Sequence, residues 1–179
     1  MNIKGPLRRS PDDAISQLMA DHRKIDALFR RFEALKESGS AKDKAQLVSQ
    51  ICDELAIHAV VEEEIFYPAV RARIGYAYIV DEALVEHAGA NELVAQLRAM
   101  VPGDELYDDR VTLLGEEIGH HVEEEEGEIF PEARKAKIDT GALGLRMCAR
   151  KVELLEVLGL DDPKANAGAA ARESAAARA

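Results

Sequence analysis

The chain has no tryptophan, two cysteines, and only four Phe and four Tyr among 179 residues. An interior must therefore come from aliphatic side chains, and 47% hydrophobic content is enough to build one for a single domain of this length. Cys52 and Cys148 lie far apart and form no CxxC, so neither a disulfide framework nor a thiolate metal site is indicated. Both are expected to be reduced, small core residues of a cytoplasmic protein. No run of about 18 apolar residues occurs, so no membrane span is expected. The segment from Met1 to Pro11 carries basic residues without an apolar stretch and does not read as a secretory signal. Excess positive charge is also lacking: the net charge is −11. Phosphate neutralisation needs a basic surface, which argues against nucleic-acid partners. There is no HExxH, so a zincin site is unsupported.

What the chain does have is helical periodicity. Ser10, Pro11, Asp12 and Asp13 form a helix-start signal of cap, first-turn Pro and acids. Ile15, Leu18, Ile25, Leu28 and Phe32 then recur at threes and fours, which predicts a helix over about 12–37. Ser38-Gly39-Ser40 ends it. A second helix is predicted over about 41–73 on Leu47, Ile51, Leu55, Ile65 and Phe66, with Pro68 kinking or interrupting its last turns. A third is expected over 77–100 and a fourth over 105–137, the fourth carrying Leu106, Leu113, Leu114, Ile118 and Ile129 on its apolar face. A shorter fifth is predicted over 140–159. No strand alternation competes. The expected fold class is all-α: an up-down-up-down four-helix bundle with a short fifth C-terminal helix. The bundle domain is expected over 12–158. Residues 1–11 form a lead, and the Ala-rich segment 160–179 is too poor in large apolar residues to fold alone.

Polar residues fall on those apolar stripes. His58-Ala-Val-Val-Glu62 and His121-Val-Glu-Glu-Glu125 each put a His and a Glu one helical turn apart, shortly before a Pro. His22 and His87 lie mid-stripe on the preceding helices, each directly after an acid, Asp21 or Glu86. The chain thus reads as a duplication, about 12–75 and 78–137. A lone core His is ordinarily a hydrogen-bonded structural residue, and a Glu among other glutamates is ordinarily solvated. The set resists that reading, because burying carboxylates without compensation costs several kcal/mol. Divalent cations would compensate them, and neutral imidazoles would complete the coordination. The neighbouring acids are expected to face partly to solvent, with Glu63 or Glu124 as possible supports behind the ligands. His120 lies about 100° round the helix from His121 and is expected at the periphery. Tyr67 and Tyr76 read first as helix-end packing residues, with a redox or hydrogen-bonding role near the site as the alternative.

Asp21-His22, the His58/Glu62 segment, Glu86-His87 and the His121/Glu125 segment, in this order and spacing, resemble the hemerythrin-like, or HHE cation-binding, family over about 12–158. The resemblance implies a non-haem di-iron centre. His22 and His58 would bind one iron, and His87 and His121 the other. Glu62 and Glu125 would bridge them together with an oxo or hydroxo group. Zinc is the alternative metal. Oxygen-carrying hemerythrins have a second His one turn after the third-helix ligand. Here that position is Asn91, which implies one open position on each metal. The imidazole-rich ligand set implies O2 or a related small oxidant as the ligand, while the open positions beside Asn91 motivate the enzymatic alternative. The alternatives are a peroxide-decomposing or oxidase-like enzyme, and non-catalytic iron or zinc binding or storage.

Overall fold

The computed structural model describes residues 13–75 and 78–160, and among them all regular structure is helical. The first helix spans Ala14–Leu35. Its cap is Asp13, whose carboxylate accepts the Ser16 N–H at 3.2 Å from an extended backbone (φ −69°, ψ 132°). The helix therefore begins later than the Ser-Pro signal suggested. Ser10 and Pro11 themselves lie outside the described residues, as do Tyr76, the lead 1–11 and the tail beyond 160. Asp13 also receives the Thr140 hydroxyl, so one carboxylate starts the first helix and anchors the fifth.

The second helix runs through three consecutive segments, Ala41–Val61, a π-helical turn at Glu62–Phe66, and Tyr67–Arg71. Ser40 caps it by accepting the Asp43 N–H at 3.1 Å. The third is Tyr78–Arg98. The fourth repeats the second: Tyr107–Glu124, a π-helical turn at Glu125–Ile129, and Phe130–Lys135. The fifth, Thr140–Leu158, is capped by Asp139, and Gly159 follows it in the left-handed region (φ 67°) that glycine adopts without strain.

The first helix packs on the second and fourth, and the third packs on the second and fourth, which closes a four-helix ring. Connections this short between neighbours run consecutive helices in opposite directions. The fifth helix lies outside the ring against the first and second. The first and fourth helices approach closely at Gly115, where a Cβ would meet the Phe29 ring at 3.1 Å.

The core is two apolar clusters. One holds Ile15, Leu18, Phe66, Val80, Phe130 and Met147; the other holds Ile25, Phe32, Ile51, Val94, Val111 and Leu114. On every ring helix the sequence passes from one cluster to the other through a histidine. Three sequence expectations are corrected here. Leu106 (52% exposed) and Leu113 (44%) are not core residues, because Tyr107, Val111 and Leu114 present the buried face of the fourth helix instead. Cys148 is exposed on the outer side of the fifth helix, whereas Cys52 is buried as expected.

Candidate metal centre

Each π turn begins at one of the stripe glutamates. The Tyr67 N–H donates to the Glu62 carbonyl, and the Phe130 N–H to the Glu125 carbonyl, each spanning five residues instead of four. Pro68 and Pro131 explain the position: each lacks an N–H and its ring crowds the carbonyl four residues back, so the helix widens just ahead of it. The proline effect is thus a π turn before the Pro rather than a break after it. The extra residue changes the phase of the buried face, so that Ile65, Phe66 and Tyr67 are consecutive and all buried.

His22, His58, Glu62, His87, His121 and Glu125 meet in one layer between the two apolar clusters, and none exposes more than 5% of its surface. His22, His58, Glu62 and Glu125 offer ligand atoms within 4.8 Å of one another, and so do Glu62, His87 and His121. Glu62 belongs to both groups. The Nε2 atoms face inward: His22 lies 3.1 Å from Glu125 Oε2, His58 3.2 Å from Glu62 Oε2, and His87 3.4 Å from Glu62 Oε2. The Nε2 atoms of His87 and His121 stand 3.2 Å apart. Two nitrogen lone pairs that close repel unless a proton or a cation lies between them.

An outer set of carboxylates fixes the rings. Nδ1 of His22 lies 2.8 Å from Glu126, that of His87 2.8 Å from Glu63, and that of His121 2.8 Å from Glu86. His58 Nδ1 lies 3.6 Å from Asp21, a looser contact. An Nδ1–H donating outward leaves the Nε2 lone pair free for a metal. Each outer acid adjoins an inner residue in sequence but serves a histidine of a different helix. Of the two acids expected as supports, Glu63 takes that place. Glu124 does not: it lies 3.1 Å from the exposed His120, and Glu126 fills the role instead. The signal in the sequence was the acid beside four of the six inner residues; what was missing was which helices face each other.

No hydrogen-bond partner satisfies His22 Nε2, His58 Nε2 or any carboxylate oxygen of Glu62 and Glu125. Burial, followed by the Glu125 charge, pushes the Glu62 carboxyl well above its ordinary range. Burial also pushes Glu125 upward, but His22 and the other imidazoles outweigh it and hold that carboxyl below its usual value. Burial depresses His58 to about 4, against the opposing pull of Asp21. For His22, burial is outweighed by Glu125 and Glu126, and its pKa is raised. Orphaned, fully buried acceptors aimed at common points are what a cation would satisfy, so the residues present fit metal.

Tyr67 is a buried part of this layer rather than a helix-end packing residue. Its hydroxyl is 3.4 Å from His87 Nε2, and burial with the Glu62 and Glu125 charges pushes its pKa upward. On the opposite side Phe130 stacks on His22, with ring centroids 5.8 Å apart and planes within 2°. A cavity of about 390 Å³, its mouth included, abuts all four histidines, with apolar walls from residues such as Leu55 and Val94. Asn91 lines it from an exposed position.

The family model described as Hemerythrin HHE cation binding domain matches residues 13–133, and so takes in the whole layer. A protein from Nostoc sp. named DNA nickase is 32% identical over 114 residues, covering 64% of this chain and 31% of that protein, so the chain corresponds to under a third of that relative's length. The crystal structure of a hemerythrin HHE cation binding domain-containing protein from Mycobacterium kansasii shares the fold, with a TM-score of 0.67 at 24% identity over 79% of this chain and 86% of that one. The matched span, the bundle and the convergent His/Glu layer agree, and the chain belongs to the hemerythrin HHE cation binding domain family.

Proposed function

We propose that the layer holds two iron ions and that the protein binds O2 or a related small oxidant beside them. The observation that carries this reading is the orphaned set, the two buried carboxylates with the inward nitrogens of His22 and His58, none of which has a hydrogen-bond partner. His22 and His58 would hold one ion, His87 and His121 the other, and Glu62 with Glu125 would join them. An imidazole and carboxylate donor set suits iron and also zinc. Bound iron would supply a redox-active Lewis acid. The chain's own residues do the rest. The outer carboxylates hold the rings, and Phe66 and Phe130, edge to face at 5.6 Å, close one side of the layer with apolar surface. The cavity over the histidines admits a small, weakly polar ligand and discourages large or charged ones.

A second reading, decomposition of peroxide, is favoured by the Tyr67 hydroxyl at the layer and by Asn91 where oxygen carriers of the family resemble one another in having His. Tyr67 would donate a hydrogen bond to the oxidant beside His87. We assign no DNA-directed role on the Nostoc relative's name, since the similarity reaches under a third of that protein and this chain carries a net charge of −11. The test is metal analysis with absorbance spectra of the anaerobically reduced protein before and after oxygen or peroxide. Two irons per chain and a new near-ultraviolet or visible band are expected. Sustained peroxide turnover that His58→Ala abolishes would select the second reading. A single zinc with no spectral change would overturn both.

A further inference from the structure

We propose that the cleft between the third and fourth helices is the route by which divalent cations reach the buried layer, with Glu86, His120 and Glu124 as an outer holding site. The proposal rests on the reading that the layer binds metal.

The outer three offer ligand atoms within 4.8 Å of one another. Each stands one residue before an inner one: Glu86 before His87, His120 before His121, Glu124 before Glu125. A step of one residue is about 100° round a helix, so the outer group lies on the adjoining face of the same turns. The cleft, about 310 Å³ with its open mouth, runs from Glu86 and Glu124 of the outer group to the inner one, with the exposed His120 beside it on Glu124. Glu82 and Glu128 are at its exposed rim, Glu86 and Glu124 are half-buried along it, and His121 and Glu125 line its inner end. Glu125 is fully buried, and neither of its carboxylate oxygens has a hydrogen-bond partner. A cation thus meets carboxylates from rim to floor, whereas the cavity over the four histidines would carry it past apolar walls.

Among the described residues, the matching positions of the first half carry no such row of carboxylates. Aligning His22 with His87 and His58 with His121 pairs Glu82 with Gln17, Glu86 with Asp21, His120 with Ile57, Glu124 with Val61 and Glu128 with Ile65. The fifth helix covers that side. Gln17 donates to the Gly144 carbonyl at 3.0 Å, Lys151 pairs with Asp21, and Val61 and Ile65 are buried in one cluster with Leu143 and Met147. Of two related grooves, one is covered by the fifth helix, with an Asp21–Lys151 pair and buried apolar side chains, and one is acidic and open.

The experiment is rapid-mixing uptake of Co2+ into the metal-free full chain, followed by its visible absorption. His120→Ala with Glu124→Gln changes the formal charge by only one, on side chains that are 66% and 37% exposed, so the fold should survive; circular dichroism melting checks it. A second variant, Glu82→Lys with Glu128→Lys, reverses the rim charge. Both are expected to load about tenfold more slowly, within the range of electrostatic focusing in a charged cleft, and to reach the wild-type final cobalt content. Wild-type loading rates in both variants would overturn the route. Wild-type protein that takes up no cobalt at all would instead overturn the metal reading beneath it.

Discussion

The two histidine pairs of the layer come from a repeated sequence, yet the fold treats them differently. His22 and His58 share a group with both glutamates, while His87 and His121 share one with Glu62 alone. The first pair has a stacked phenyl ring, Phe130, against His22. The second has a phenol at the matching position, Tyr67, with its hydroxyl 3.4 Å from His87. Behind the first pair, Asp21 is tied to Lys151 of the fifth helix, and His58 and Lys151 together hold its carboxyl below its usual range despite burial. Behind the second, Glu86 opens onto an acidic cleft. A repeated motif therefore does not imply two equal sites. One added helix and one added oxygen suffice to separate them.

The largest break in that comparison comes from Glu62→Ala with Glu125→Ala, which removes the acceptors we propose to join the pairs. Loss of both metals is expected, together with the whole metal-dependent rise in melting temperature; a site held at 100 times its dissociation constant contributes about 2.7 kcal/mol. Retention of two metals, by elemental analysis, would reject the assigned bridge. Single substitutions should split the pairs. His58→Ala and His121→Ala are each expected to lower the content from two metals to one, and a complete loss in either would mean the pairs bind as one unit.

In metal-free protein the two histidines of the first pair also differ from each other in their response to acid. His58, depressed to about 4 by burial, favours folding fully above the ordinary histidine value of about 6.5 and loses that contribution as pH falls toward 4. The loss is at most about 3 kcal/mol. His22, raised by Glu125 and Glu126 against burial, runs oppositely: its contribution is complete below about 6.5 and disappears as pH rises through its folded value. Urea denaturation at pH 7 and pH 4.5 should show a smaller acid loss in His58→Gln than in wild type. Equal losses would contradict the assignment.

The smallest effect sharpens the comparison most. Tyr67→Phe removes one hydroxyl and is expected to change stability by about 1 kcal/mol or less. It should nevertheless shift the visible band of the oxidised iron-loaded protein. Tyr67→Phe with Phe130→Tyr moves the oxygen to the His22 side and should give a third, distinct spectrum. Identical spectra for all three would show that the hydroxyl does not touch the centre.

Much of this was legible in the chain, because the six inner residues share the spacing of the apolar stripes that surround them. The helices followed from the same periodicity, and so did the exposed place of His120. What escaped had a common cause. Glu126 supports His22 and Glu86 supports His121 across a helix interface, and local spacing does not reveal which helices are neighbours. Leu113 and Cys148 fit a helical stripe by sequence but lie on its outer edge, since the width of a buried face depends on what packs against it. Pro68 marked an irregularity in the second helix, but the same effect of Pro131 in the fourth was not anticipated, and the form of both required an account of the carbonyls ahead of them.

The two π turns also constrain how this sequence can change length. Each inserts one residue into a helix that otherwise runs on. Deleting a single residue there, such as Glu64 or Gly127, would restore regular winding and turn everything beyond it by about 100°. Val70 or Ala133 would then swing out of the core, and the proline would again crowd a carbonyl it now avoids. Length polymorphism at these two points is thus forbidden by geometry, while the loops a few residues on remain free to vary.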